Sequence, residues 1–182
     1  QIQLARRLFE IGVIKDKTQS LNGMGFALKN PDLPLSPVYI DLGMPYDPKP
    51  GPVTLELLRE IAERLFQMTW YPTALPRYQH IAGVPRGGEP YARLLYEMHP
   101  KGHASFLRLG KEELPGGERR VAGILEGEWT RRDSVLLVED VLTTGQSTRE
   151  AIHVIESHQM NVRDILVVVD REQGGAERLS EQ

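Results

Sequence analysis

Residues 139–148 combine a carboxylate pair with a run of hydroxyl side chains, a combination that could bind a phosphorylated sugar. The apolar run before them, residues 135–138, is typical of a parallel strand covered on both faces. Glu139 and Asp140 therefore come at the carboxyl end of that strand, which is the edge where open α/β sheets bind ligands. Residues 143–148 (Thr-Thr-Gly-Gln-Ser-Thr), here called the hydroxyl loop, offer hydroxyl and backbone N–H donors for a phosphate group.

A helix is predicted directly after the hydroxyl loop, at about residues 148–159. Ser147 and Glu150 stand three residues apart, as in a capping box, so the positive end of the helix dipole would face the loop. A plain strand–loop–helix connection with an ordinary cap is the alternative. A Walker-type phosphate loop is a poorer explanation because the chain contains no Gly-Lys-Ser or Gly-Lys-Thr.

A second candidate anion site is the segment Ala82-Gly-Val-Pro-Arg-Gly-Gly88, here called the glycine loop, which follows another predicted strand at residues 80–84. Its glycines allow backbone N–H groups to converge on an anion, and Arg86 supplies positive charge. Taken alone, a tight turn with a surface arginine explains the segment better. Because both loops lie at the same edge of the predicted sheet, together they suit a substrate with phosphates at both ends.

The rest of the chain supplies the elements that would position these loops. The other predicted elements are helices at residues 3–14, 54–65 and 89–98, strand-like pieces at 25–28 and 38–42, strands at 104–109, 121–125 and 165–169, and a polar segment at 110–120. Strands alternating with helices predict an α/β fold with a mainly parallel central sheet flanked by helices. We expect a single domain, residues 1–182, in which residues 1–45 form an N-terminal helix and a small hood.

Composition limits the class of protein. The chain has 182 residues with 22 basic and 25 acidic side chains and a formal charge of −3, so a nucleic-acid-binding surface has no support. The lack of cysteine excludes disulfides and thiolate metal sites, and no secretory or membrane-spanning stretch is visible. We therefore expect a cytoplasmic protein with no nucleic-acid or membrane partner. Since the chain opens on Gln1, we expect a trimmed chain or a segment of a longer polypeptide.

Residues 135–148 resemble the phosphoribosyl-pyrophosphate (PRPP) motif of type I phosphoribosyltransferases. Further segments are similar to orotate phosphoribosyltransferases: Phe26-Ala-Leu-Lys29 before Ser36-Pro-Val-Tyr-Ile-Asp-Leu42, Leu125-Glu-Gly127, and Val167-Val-Val-Asp-Arg-Glu-Gln-Gly-Gly175. The resemblance covers nearly the whole chain in the right order. It implies the fold of that family and magnesium-dependent transfer of phosphoribosyl from PRPP to orotate, giving orotidine 5′-phosphate and diphosphate.

The resemblance also implies roles for individual residues. Glu139 and Asp140 would bind the ribose hydroxyls of PRPP. The 5′-phosphate would be wrapped by Thr143, Thr144, Gly145, Gln146, Ser147 and Thr148. The diphosphate would be bound by Pro85, Arg86, Gly87 and Lys29, and orotate by Lys29, Tyr39, Ile40, Thr144 and Arg171. Mg²⁺ would be bound mainly through PRPP and water rather than by protein side chains.

The segment of residues 106–117 departs from the mobile catalytic loop of that family. Arg108 and Lys111 stand where the family has an arginine and a later lysine, and with Asp140 they are the predicted catalytic residues. Leu109 stands where a paired lysine is expected, and the histidine of the family's loop is missing. The loop would stabilise charge on the leaving diphosphate and exclude water. The missing lysine and histidine therefore predict slower transfer, a different base or no turnover.

Three functions therefore stay open at this point: an orotate phosphoribosyltransferase, a PRPP-binding regulatory or catalytically weak homologue, and a phosphoribosyltransferase for a different base. The resemblance further implies a homodimer with shared active sites. The family pattern usually continues beyond the Asp-Arg-x-x-Gly-Gly segment, so a fused or adjacent decarboxylase domain is a further expectation.

Overall fold

The computed structural model describes residues 2–27, 35–46, 50–69 and 77–181. The chain divides into two compact units, residues 1–55 and 56–182. None of the helices in the described part of the chain is both long and apolar enough to cross a membrane. Whether residues 1–45 act as a hood stays a prediction.

The first unit contains one helix and a small antiparallel sheet. Its elements are α1 (Ile2–Glu10), β1 (Ile14–Asp16), a 3₁₀ turn (Lys17–Gln19) and β2 (Val38–Ile40). β1 pairs with β2, and the sequence did not predict β1 because three residues are too few to show a period. The strand predicted at 25–28 is wrong for its described part, where Phe26 makes only an isolated bridge with Ser36. Residue 28 lies outside the described residues.

The second unit is built around a five-stranded sheet in the order β5-β4-β3-β6-β7. The strands are β3 (His80–Gly83), β4 (Ser105–Glu113), β5 (Arg119–Glu126), β6 (Ser134–Leu142) and β7 (Asn161–Asp170). The helices are α2 (Leu55–Thr69), α3 (Glu89–Met98), α4 (Gln146–Ser157) and α5 (Gly175–Ser180). Within this sheet, formed by the described residues 80–170, only the β4–β5 pair is antiparallel, which confirms the predicted mainly parallel sheet flanked by helices.

β6 is the central strand of the site and is buried on both of its faces. Val135 and Leu137 pack with Ala151 and Ile155 of α4 in one hydrophobic cluster. Successive strand residues point to opposite faces, so the equally buried Leu136 faces the other side. The strand was expected to cover residues 135–138 and is longer than that, because pairing with β7 continues to Leu142 and places both carboxylates inside the strand, near its carboxyl end.

The polar segment at 110–120 forms a hairpin rather than a loop. β4 runs to Glu113 and β5 starts at Arg119. The ion pairs Glu112–Arg120 (2.6 Å) and Glu113–Arg119 (3.3 Å) join the two strands. Opposite charges placed directly across an antiparallel pair favour the hairpin over a mobile loop.

The predicted capping box at Ser147 and Glu150 does not form. Gly145 caps α4 in the left-handed conformation (φ 75°) and makes no side-chain cap bond. Ser147 lies inside the first turn, and the Glu150 carboxylate instead accepts hydrogen bonds from Val121 N (2.9 Å) and Gln146 Nε2 (3.2 Å). α4 begins at Gln146, directly after Gly145, whose left-handed conformation is one that glycine adopts readily.

Candidate active site

The glycine loop and the hydroxyl loop follow adjacent parallel strands. β3 and β6 pair in register from His80 opposite Val135 to Gly83 opposite Val138. Their carboxyl ends therefore meet at one edge of the sheet, and α3 and α4 begin at that edge immediately after the two loops. Two helix N-termini and two sets of backbone N–H groups converge there, which is an arrangement suited to anions.

The glycine loop lies directly against the end of β6. Val84 N donates to Val138 O (2.8 Å), and a Cβ on Gly88 would collide with that same carbonyl. A Cβ on Gly87 would collide with the carboxylate of Asp140. Any side chain at position 87 would therefore force the loop or this carboxylate to move. The side chain of Arg86 is exposed, and the Pro85–Arg86 peptide bond is cis.

The adjacent carboxylates Glu139 and Asp140 have different surroundings. Glu139 is 6% exposed and accepts a hydrogen bond from Thr148 Oγ1 (2.7 Å) on α4. Burial, followed by the hydrogen bond and charge of Asp140, raises the pKa of Glu139 to about 8, although Thr148 and Lys111 favour its charged form. Asp140 is half-buried and faces Gly87. Asp140 is therefore the carboxylate that faces the glycine loop.

The hydroxyl loop contains side chains in three different environments. Thr144 and Gln146 are exposed, and Thr143 and Ser147 are half-buried. Thr148 is fully buried, and its hydroxyl holds Glu139, so only its backbone could reach a ligand. The structure thus assembles the predicted loop but directs one of its hydroxyls into the protein.

Of the two predicted catalytic cations, Lys111 is the one near the hydroxyl loop. Its Nζ lies 3.5 Å from Ser147 Oγ. Arg108, also on β4, makes ion pairs with Glu89 (3.2 Å) at the start of α3 and with Glu126 (2.7 Å) on β5. The hydrogen bond to Glu126, together with the charge of Glu89, raises the pKa of the Arg108 guanidinium.

Leu109, which stands where a second cation was expected, is buried in the core beneath the hairpin. An apolar side chain in the core anchors this part of β4 to the sheet. The sequence signal for a catalytic loop therefore falls on a regular strand, and Lys111 reaches the site from that strand.

The residues predicted to bind orotate are spread over both units. Arg171 follows β7, and its N–H donates to Leu142 O (3.0 Å) at the end of β6. Tyr39 and Ile40 lie on β2, where the ring of Tyr39 packs on that of Phe26 at a centroid distance of 5.4 Å. Lys29 lies outside the described residues. The base pocket stays a prediction.

The sequence analysis missed one residue next to the hydroxyl loop. Arg178 on α5 donates from Nε to Thr144 O (3.0 Å). No local pattern distinguishes it from an ordinary surface arginine, because its partner lies far away in the sequence. Among residues 2–27, 35–46, 50–69 and 77–181, no group of three or more His, Asp or Glu side chains is arranged to hold a metal ion.

A search of protein-family models finds no match to the chain. Two named proteins align with it over 145 residues, 79% of its length: uridine 5′-monophosphate synthase from Bos taurus at 34% identity and orotate phosphoribosyltransferase from Pyrococcus horikoshii at 33%. The chain spans 27% of the bovine protein and 70% of the archaeal one. The crystal structure of orotate phosphoribosyltransferase from Aeropyrum pernix superimposes with a TM-score of 0.65 at 25% identity, covering 98% of this chain and 87% of that one.

Proposed function

Since the chain belongs to the orotate phosphoribosyltransferase family, we propose that it transfers phosphoribosyl from PRPP to orotate, giving orotidine 5′-phosphate and diphosphate. The observation that carries the proposal is that two anion-competent loops follow adjacent parallel strands, with the carboxylate of Asp140 against the glycine loop. A ligand with a phosphate at each end and hydroxyls between them matches this arrangement.

The proposed placement of PRPP follows the order of groups along the edge. The hydroxyl loop binds the 5′-phosphate at the start of α4, where backbone N–H groups and the helix dipole favour an anion. The glycine loop, through Pro85, Arg86 and Gly87, binds the diphosphate. Asp140, which lies against Gly87 and precedes the hydroxyl loop in the chain, accepts hydrogen bonds from the ribose hydroxyls, and Glu139 supports it from the buried side.

Transfer needs no covalent enzyme intermediate. The bond from C1′ to the diphosphate oxygen breaks as the bond from C1′ to N1 of orotate forms, and the proton on N1 passes to the departing diphosphate or to solvent. Positive charge develops on the sugar and negative charge on the leaving group. The chain contributes by holding both phosphate ends in line and by placing cations near the diphosphate. Arg108 and Lys111 on β4 are the candidates for this role. Arg108 pairs with Glu89 directly after the glycine loop, whereas the ammonium of Lys111 lies beside Ser147 of the hydroxyl loop.

Magnesium fits the donors at this edge. Asp140 offers hard carboxylate oxygens beside the glycine loop, and phosphate oxygens and water would complete the coordination of the ion. We propose that Mg²⁺ is bound mainly through PRPP, with the carboxylates holding the ribose hydroxyls. When bound, the ion neutralises charge on the diphosphate.

Orotate is planar and carries a carboxylate, so an arginine fork suits it. Arg171 is the proposed arginine, and it follows β7 at the same edge of the sheet as the loops. Thr144 is proposed as a neighbour of the base from the hydroxyl loop. Lys29, Tyr39 and Ile40 stay predictions for the rest of this pocket.

A PRPP-binding protein with weak or no transferase activity is a second candidate. It is favoured by the hairpin, in which Arg108 is tied to two carboxylates and Leu109 is buried in the core. A site in which fewer cations can reach the leaving group would transfer more slowly. The phosphate loops would be unaffected.

The test is a turnover assay of the purified chain with PRPP, Mg²⁺ and a panel of bases: orotate, uracil and adenine. We expect consumption of orotate and formation of orotidine 5′-phosphate. Turnover of another base in preference to orotate would assign a different specificity. Tight PRPP binding without turnover of any base would assign the regulatory role instead.

A homodimer with shared sites and a cytoplasmic location stay predictions. The match to uridine 5′-monophosphate synthase, of which the chain spans 27%, supports the proposal of a fused or adjacent decarboxylase domain. Size-exclusion chromatography with light scattering would test the dimer directly. A strictly monomeric active protein would exclude shared sites.

A further inference from the structure

The segment from Arg171 to α5 lies against the hydroxyl loop. Arg171 N donates to Leu142 O (3.0 Å), immediately before the loop. A Cβ on Gly175 would meet Thr143 O and the side chain of Leu142. The backbone of this segment therefore packs directly on the backbone of the loop, with glycine at the point of closest approach.

Arg178 ties the two backbones together. Its Nε donates to Thr144 O (3.0 Å), and its second terminal nitrogen donates to Gln173 O (2.8 Å). Gly174, with φ 79°, turns the chain immediately beside the guanidinium. One planar and permanently charged group thus bridges a carbonyl of the hydroxyl loop and a carbonyl of the segment that follows Arg171.

The bond to Thr144 O constrains the next N–H group. A trans peptide unit is planar, and its C=O and N–H point in opposite directions. Holding the carbonyl of Thr144 toward Arg178 therefore directs the N–H of Gly145 away from α5. Gly145 is also the cap of α4, so this N–H belongs to the group of donors that the proposed function assigns to the 5′-phosphate.

We infer that Arg178 is a positioning residue, which orients the Thr144–Gly145 peptide so that its N–H faces the 5′-phosphate of PRPP. The inference rests on the proposed function. Arg178 itself does not contact the ligand in this arrangement. It acts from behind the loop and joins the loop to the segment that begins at Arg171, so its contribution is to affinity for the phosphorylated end of the substrate rather than to the chemical step.

The test compares Arg178→Ala, Arg178→Lys and the control Glu177→Ala, an exposed neighbour on the same short helix. Removing the bridge should raise the KM for PRPP and the Kd for ribose 5-phosphate about tenfold, the scale of one or two lost hydrogen bonds, and should change kcat little. Arg178→Lys should be intermediate, since an ammonium can reach one carbonyl but not bridge two. Glu177→Ala should behave like the unmodified chain.

The possible outcomes separate this inference from the proposed function. If the unmodified chain does not bind PRPP, the proposed function and the inference both fail. If it binds PRPP and Arg178→Ala binds ribose 5-phosphate equally well, only the inference fails. A uniform loss of kcat and of affinity for both substrates, with no rescue by lysine, would show a purely structural role and also overturn it. If Arg178→Ala does not fold, Arg178→Gln, which keeps the length and one donor, should give the same split between KM and kcat.

Discussion

At the residue scale, the site depends on two adjacent carboxyl groups on β6 that differ in burial and in contacts. Glu139 is buried against α4 and bonded to Thr148, whereas Asp140 faces the glycine loop. Burying two acidic groups side by side is costly unless one of them holds a proton. Burial and the neighbouring Asp140 thus set the protonation of Glu139, and this has a measurable consequence for stability.

The stability of the chain should fall as pH rises from 4.5 to about 8, the ordinary and the folded-state pKa of Glu139. Because the folded state binds this proton more tightly than the unfolded state, its stabilising effect is complete below 4.5 and is lost as pH rises through the folded pKa. Urea denaturation across this range should show the decline, and Glu139→Gln should flatten it. Equal pH slopes for Glu139→Gln and the unmodified chain would contradict this origin of the pKa shift.

Gly87→Ala should damage the site while Gly123→Ala should not. A Cβ at position 87 runs into the carboxylate of Asp140, so loop or carboxylate must move, whereas the same group on Gly123 meets nothing within 4 Å. Displacing a binding group by about 1 Å can cost about a hundredfold in kcat/KM. Steady-state kinetics on both variants measures this. Similar values for the two variants would show that the contact between Gly87 and Asp140 is unimportant.

The role of a residue at this site could be predicted from sequence where the pattern that reveals it lies within one short segment. Asp140 and the hydroxyl loop stand out because a strand, two carboxylates and a hydroxyl-rich turn occur within fourteen consecutive residues. The role of Thr148 was missed, since only the structure reveals that its hydroxyl bonds to Glu139 rather than facing the loop. Arg178 was missed for a similar reason, because its bond to Thr144 joins distant parts of the chain.

At the element scale, the segment expected to be a loop forms the β4–β5 hairpin, and its movement during turnover stays a prediction. Charged residues and glycines suggested a flexible segment, but Glu112 and Glu113 pair with arginines directly across the hairpin. The burial of Leu109 at the base of the hairpin could not be predicted either, because it depends on the register between β4 and β5. The hairpin brings Lys111 to the hydroxyl loop and holds Arg108 among carboxylates.

Lys111→Gln and Arg108→Gln should therefore affect different steps. Lys111 has its ammonium beside Ser147 in the loop assigned to the 5′-phosphate, so its replacement should raise the KM for PRPP about tenfold. Arg108 pairs with Glu89 directly after the glycine loop assigned to the diphosphate, so its replacement should lower kcat about a hundredfold. Steady-state kinetics on both variants would compare the two. The reverse pattern would assign the leaving-group role to Lys111.

At the scale of the whole molecule, stability and binding are served by opposite edges of the sheet. His80, near the amino end of β3, is buried and bonds Ser105 Oγ (2.6 Å) on β4 and Asp133 Oδ2 (2.8 Å) before β6. This network joins the starts of three strands, whereas both loops lie at their carboxyl ends. The two ends should therefore respond differently to substitution.

His80→Ala should lower the free energy of unfolding by about 2 kcal/mol, because buried hydrogen bonds are lost and their partners are left unsatisfied. The KM for PRPP should stay unchanged, since the network is a strand length away from the loops. Urea denaturation and steady-state kinetics on one preparation test both parts. A raised KM without loss of stability would mean that the two edges are coupled.

The order of strands and helices made the mainly parallel sheet predictable, because buried apolar strands that alternate with amphipathic helices can pack in few other architectures. The N-terminal unit was less predictable, since β1 and β2 have three residues each and pair across a long sequence separation. The assignment of Tyr39 and Ile40 to a base pocket rests on family resemblance and stays a prediction.

The central claim is that PRPP binds at the edge of the sheet that carries the glycine loop, the hydroxyl loop and Asp140. Calorimetric titration of PRPP in the presence of Mg²⁺ tests this claim most directly. The comparison is between the unmodified chain, Asp140→Asn, and the control Asp164→Asn, which lies toward the amino end of β7. We expect binding that weakens about tenfold or more in Asp140→Asn, the scale of a lost charge-assisted hydrogen bond, and is unchanged in Asp164→Asn. Equal affinity of Asp140→Asn and the unmodified chain would contradict the account.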